Sequence, residues 1–137
     1  MYLLTLLVAA LAIALIFIAP KRAKVWVATA LISMAAIGAI ALSVHTLLCG
    51  DMELASFSTS LFGKEHISVD GISALFLSII AIASVATVLY SRGYVGGYLE
   101  RYSSTHISLH YTALVLLVVS MMLVVITSGG FSFLFSW

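Results

Sequence analysis

Charge is what this sequence lacks. Only 8% of its 137 residues are Asp, Glu, Lys or Arg, where a soluble domain carries about a quarter. Hydrophobic residues make up 64%, and the mean hydropathy is +1.25. So few charges cannot cover a soluble globule, and the surface must face lipid. The chain is read as an integral membrane protein. Six basic residues against five acidic ones give a formal net charge of +1, which excludes an electrostatic footprint for nucleic acid. One cysteine excludes an internal disulfide framework, and Cys49 reads as a small apolar residue at a helix end. The single proline, Pro20, stands where the first apolar run stops. A Gly-rich phosphate loop, a nucleophile–base pair and a zinc-binding spacing are all missing.

What is present is four long runs without Asp, Glu, Lys or Arg, at 2–20, 25–49, 71–91 and 107–128. Each is 19 to 25 residues long, within the range that spans a bilayer. In lipid the backbone must satisfy its own hydrogen bonds, and continuous apolar runs fit helices rather than alternating barrel strands. The expected fold class is therefore all-α: one membrane domain over 1–137, with four transmembrane helices. The first run is not a secretory signal, because its basic cluster, Lys21-Arg22-Ala23-Lys24, follows the apolar stretch instead of preceding it.

The basic residues set the orientation. The connection at 21–24 carries three and the one at 92–106 carries two, Arg92 and Arg101, whereas the connection at 50–70 carries only Lys64 beside four acidic residues. The first and third connections lie on the same side, which predicts that side to be cytoplasmic and the N-terminus to be outside. Tyr90, Tyr94, Tyr98 and Tyr102 gather near the third connection, as an interfacial aromatic belt does. In the outer loop Phe57, Thr59 and Leu61 alternate with serines, Phe62-Gly63-Lys64 suits a turn, and Ile67 and Val69 alternate again. That pattern predicts a short hairpin on the outer surface.

A proton path through a membrane needs ionisable side chains at depth. None of the four runs holds a carboxylate or a lysine, and their histidines are His45, late in the second, and His110, early in the fourth, with His106 just before it. His106 and His110, four residues apart, share a helix face and could in principle bind metal, hold a haem iron or relay protons. Both lie near the cytoplasmic end, however, and His45 lies near the outer end of its helix, so it cannot supply a facing ligand. They are read as interfacial hydrogen-bonding histidines, with a polar path toward a neighbouring helix as the sharper alternative. His66 beside Glu65 reads as a solvated loop dipeptide.

Asp70, directly before the third run, reads as a helix N-cap, with an outer proton-exit carboxylate as the sharper alternative. Ser73, Ser78, Ser84 and Thr87 are expected to bond helix to helix. Ala35, Ala36, Gly38, Ala39 and Ala41 in "SMAAIGAIA" suit close helix approach, and Met121-Met122 suits adaptable packing. No catalytic, cofactor-binding or metal-binding residue is assigned, and no cofactor is expected.

From Val69 onward the order of motifs is distinctive. "SVDGISALFLSIIAIASVATVLYSRGY" is a capped span ending in Tyr-Ser and a glycine–tyrosine pair. "HYTALVLLVVSMMLVVITSGGFSFLFSW" has a Ser-Met-Met centre and a closing aromatic run. This half of the chain resembles the N-terminal part of the antiporter-like, proton-conducting membrane subunits of the complex I superfamily. These occur in NADH-quinone oxidoreductase, Mrp-type cation/proton antiporters and membrane-bound hydrogenases of the formate hydrogenlyase kind. "LYSRGY" and "HYTALVLLVVSMMLVV" lean toward the hydrogenase branch.

The resemblance implies more helices than four. In the family an aromatic run leading into Trp and a functional glutamate opens the fifth helix, so "FSFLFSW" at 131–137 is expected to be the cut-off start of one. The glutamate and the family's buried lysines have no counterpart here, so only scaffold carries over. The implied role is the N-terminal scaffold portion of a proton-translocating subunit, located in a prokaryotic inner or plasma membrane. Its implied partners are the lipid bilayer and the other membrane subunits of a complex I-like or hydrogenase complex, with no nucleic acid and no small-molecule substrate bound by this chain. A complete four-helix accessory or assembly protein is the alternative reading, and a haem- or quinone-binding redox subunit using His106 and His110 is a third.

Overall fold

The computed structural model describes residues 2–59, 63–98, 101–128 and 130–137. The chain runs through helices α1 (Tyr2–Ile18) and α2 (Lys21–Cys49), strands β1 (Met52–Thr59) and β2 (Gly63–Val69), and helices α3 (Gly71–Tyr98), α4 (Ser104–Ile126) and α5 (Gly130–Ser136). The described residues are mostly helical, with one hairpin among them. Among the described residues three helices, α2, α3 and α4, are long and apolar enough to cross a membrane. α1 has 17 residues, about 26 Å of helix at 1.5 Å per residue, and α5 is a seven-residue helix. Large apolar side chains on the outside, among them Ile18, Met34, Ile37, Leu48, Ile82 and Leu134, fit contact with a bilayer.

The helices begin and end differently from the apolar runs. Residues 21–24 are not a connecting loop but the first turn of α2. Lys and Arg are good helix formers, so three charges mark a membrane boundary without stopping a helix. Pro20 is what separates α1 from α2. Its ring fixes φ at −64°, and its carbonyl accepts from the Ala23 and Lys24 amides at 2.8 and 3.1 Å. Pro20 is thus the N-cap of α2, with an extended ψ of 151°, one residue before the first helical position that prolines favour most. α3 likewise runs past Ser91 to Tyr98, through Arg92 and three glycines.

α2, α3 and α4 pack on one another, and α1 packs on α2 and α4. The α2–α3 seam is built from small side chains. On α3 the buried positions are Ala74, Leu77, Ala81, Ser84, Val88, Ser91 and Val95, an alternating three–four spacing that keeps one stripe facing a partner. On α2 the stripe is Val25, Ala28, Ile32, Ala36, Ala39, Ser43 and Thr46. Ala36, Ala39, Leu77 and Ala81 form one core cluster, joined by Met122. Only two of the five small residues predicted for close approach lie in it; Ala35, Gly38 and Ala41 face outward. A second cluster holds Ile16, Val25, Ala28, Ile32, Val88, Val95, Ile107, Tyr111 and Val115.

Most hydroxyls in these helices do not bond helix to helix, contrary to the expectation for Ser78, Ser84 and Thr87. Each donates to the carbonyl four residues back in its own helix, at 2.9, 2.6 and 2.8 Å. Ser43 and Thr46 do the same at 2.8 and 3.0 Å. An apolar interior gives a lone hydroxyl no better acceptor than its own backbone.

β1 and β2 pair antiparallel, with Met52 opposite Val69 and a one-residue irregularity between Glu53 and Ala55. Part of the turn expected over residues 62–64 lies outside the described residues; Gly63 and Lys64 open β2. The hairpin is docked, with Ile67 and Val69 buried. The Ser128 amide and hydroxyl both donate to the His66 carbonyl, at 3.1 and 2.8 Å, and tie the hairpin to the end of α4.

Candidate functional site

The polar side chains gather where α2 and α4 begin and α3 ends. Lys24 is the least expected of them. It is 3% exposed, and its Nζ donates to Ser108 Oγ at 2.5 Å and to the Phe17 and Ser104 carbonyls at 3.4 Å each. One ammonium thereby joins the last turn of α1, the first turn of α2 and the first turn of α4. The inventory of ionisable groups inside the helices is therefore not empty of lysine, as the apolar runs implied. The missed signal is positional: Lys24 stands four residues before Ala28 and eight before Ile32, on the buried stripe. A cation at the C-terminal end of α1 also meets the negative end of that helix dipole.

His110 and His106 are committed to different serines. Ser91 Oγ on α3 lies 2.9 Å from His110 Nε2 and bridges α3 to α4. Ser103 caps α4; its Oγ accepts from the His106 amide at 3.4 Å and lies 2.9 Å from His106 Nδ1. Both imidazoles are exposed. Next to His110, Tyr111 is fully buried, and its hydroxyl has no hydrogen-bond partner among the described residues. On the outside of the same end, the Arg92 guanidinium stacks 3.6 Å from the centre of the Trp26 ring, which joins α2 to α3. Tyr90 and Tyr94 stack at 6.4 Å.

The remaining singled-out residues lie at the opposite end. His45 is exposed on α2, far along the helix from Lys24. His66 Nδ1 faces Glu53 across the hairpin at 3.9 Å, so its acidic neighbour is on the other strand. Asp70 Oδ1 accepts from the Ser73 amide at 2.7 Å and caps α3. That hydrogen bond holds the Asp70 carboxyl below the ordinary value of 3.8. Cys49 is an exposed free thiol at the end of α2, where Gly50, at φ 95°, takes the helix-terminating conformation and donates to the Thr46 carbonyl at 2.9 Å.

Chemically, the cluster around Lys24 is a fastening. The ammonium spends its donors on two carbonyls and a hydroxyl, and Ser108 in turn reaches its own helix at the Ser104 carbonyl, 3.2 Å away. Among the described residues, no three His, Cys, Asp or Glu side chains stand close enough together to hold a metal ion. No family profile, curated protein or solved structure matches the chain.

Proposed function

We propose that the chain is a scaffold block of a proton-translocating membrane complex of the complex I-like or membrane-hydrogenase type. In this role it supports conducting subunits and does not itself carry protons. α1 joins α2, α3 and α4 as a fourth span, with the N-terminus outside, and α5 opens a fifth. The observation that carries the reading is the state of the buried hydroxyls. Ser43, Thr46 and Ser84 close onto their own helices, so these three offer no relay across the seam. The buried cation, Lys24, sits at one end, fixed by Ser108 and two carbonyls. The ordered motifs from Val69 to Trp137 support the choice of complex.

Native gel electrophoresis of mildly solubilised membranes tests the assignment. The chain is expected to migrate with larger membrane subunits in an assembly that has oxidoreductase or cation/proton antiport activity. Migration as a species of its own size, free of any such assembly, would contradict it.

A further inference from the structure

The Arg92–Trp26 stack leaves a binding group unused. Stacking occupies the face of a guanidinium, while its N–H edge remains a planar fork suited to phosphate oxygens. Among the described residues no carboxylate pairs with Arg92. Trp26 is 58% exposed, so the stack lies on the surface of the α2–α3 pair. Arg22, one turn before Trp26 on α2 and also exposed, brings a second guanidinium to the same helix face. Gly96, one turn after Arg92, keeps the neighbouring surface of α3 clear; a Cβ there would meet no atom within 4 Å. Ala30 and Leu89, each about one turn toward the apolar layer, are exposed and continue the face into the hydrocarbon. The charge is lopsided as well, with Lys21, Arg22 and Arg92 at this end and Asp51, Glu53 and Asp70 at the other.

We propose that Arg92, Trp26 and Arg22 form a headgroup site for an anionic glycerophospholipid. The Arg92 fork takes the phosphate, Trp26 lies at the level of the ester groups, and Arg22 adds the charge that favours an anionic over a zwitterionic lipid. The acyl chains run along Ala30 and Leu89. The site depends only on the chain lying in a bilayer and is independent of which complex it serves.

Trp26 reports on its own site. The chain has two tryptophans, so Trp137→Phe leaves Trp26 as the sole emitter. In bilayers doped with brominated phosphatidylglycerol or brominated phosphatidylcholine, half-maximal quenching is expected at a roughly tenfold lower fraction of the anionic lipid, from the attraction of two arginines near the surface. Arg92→Ala leaves Arg22 alone and should reduce that preference to about threefold. Gly96→Leu, whose Cβ enters open space and whose side chain crowds the headgroup, should do the same, and it decides alone if Arg92→Ala fails to insert. Equal quenching by the two lipids overturns the proposal, as does a preference that both substitutions leave undiminished.

Discussion

Lys24 and Ser108 are 84 residues apart in sequence and are joined by a hydrogen bond from ammonium to hydroxyl. The contact closes the basic end of the bundle. The same ammonium reaches the Phe17 carbonyl of α1, so α1 is held by a polar fastening as well as by the packing of Ile16 against Val25 and Ile107.

Lys24→Met keeps most of the apolar stem and removes the donors. It is expected to lower stability by about 1.5 kcal/mol, the scale of a hydrogen bond from a charged group, measured by thermal or detergent-titrated unfolding in micelles. Ser108 retains its own-helix acceptor, Ser104 O, so no orphaned hydroxyl adds to the loss. A change within about 0.5 kcal/mol, the range of ordinary surface substitutions, would show the ammonium contacts to be incidental.

The α2–α3 seam predicts opposite outcomes two residues apart. Ala36 is fully buried beside Ala81 and Leu77, so Ala36→Leu overpacks the seam and should cost about 2 kcal/mol. Gly38 faces outward, and a Cβ there meets nothing within 4 Å, so Gly38→Leu should cost no more than about 0.5 kcal/mol. The same unfolding measurement compares them, and equal losses would place the seam elsewhere.

Asp70 fastens the start of α3 and carries a pH signature. Its carboxyl titrates below the ordinary 3.8 because the Ser73 amide bonds the carboxylate. A depressed folded-state value means that the charged cap contributes stability fully above pH 3.8. That contribution is lost as the pH falls below it. Asp70→Ala should destabilise the protein at neutral pH and flatten this acid limb, whereas Asp70→Asn, still a capping residue, should lose less at neutral pH and flatten the limb equally. An acid limb unchanged in both variants would assign it to other carboxylates.

Cys49 tests orientation without any engineering. It is the one cysteine of the chain and is exposed at the end of α2 next to the hairpin. In the proposed topology, which follows the excess of basic residues at the opposite end, Cys49 lies outside. A membrane-impermeant maleimide should label it in intact cells stripped of any outer barrier. Labelling only after the membrane is opened would invert the topology.

The parts of this molecule that were legible from residues alone are those where the physics is local. Three of the four apolar runs fall in helices long and apolar enough to cross a membrane, because in lipid a continuous apolar run satisfies its backbone as a helix. The alternation of Ile67 and Val69 predicts a strand whose inner face is buried, and Asp70 before an apolar run predicts a cap. Helix ends were not legible from charge, because Lys21–Lys24 and Arg92 continue α2 and α3 beyond the apolar stretch. Rotational facing was not legible either. Five small residues in "SMAAIGAIA" are chemically alike, and only the position of the partner helix selects Ala36 and Ala39. Lys24 could have been placed by extending the Ala28–Ile32–Ala36 stripe one turn back. The pairing of Arg92 with Trp26 joins residues distant in sequence and has no local signature.

The most direct test is proton flux through the purified chain in liposomes carrying an imposed pH gradient. With Ser43, Thr46 and Ser84 closed onto their own helices, Ser91 held by His110 and Lys24 held at one end, the chain should leave the gradient to decay at the rate of protein-free vesicles. Decay that is faster than in those vesicles and scales with the amount of protein inserted would mean that protons do cross this bundle, and its role as a non-conducting scaffold would have to be abandoned.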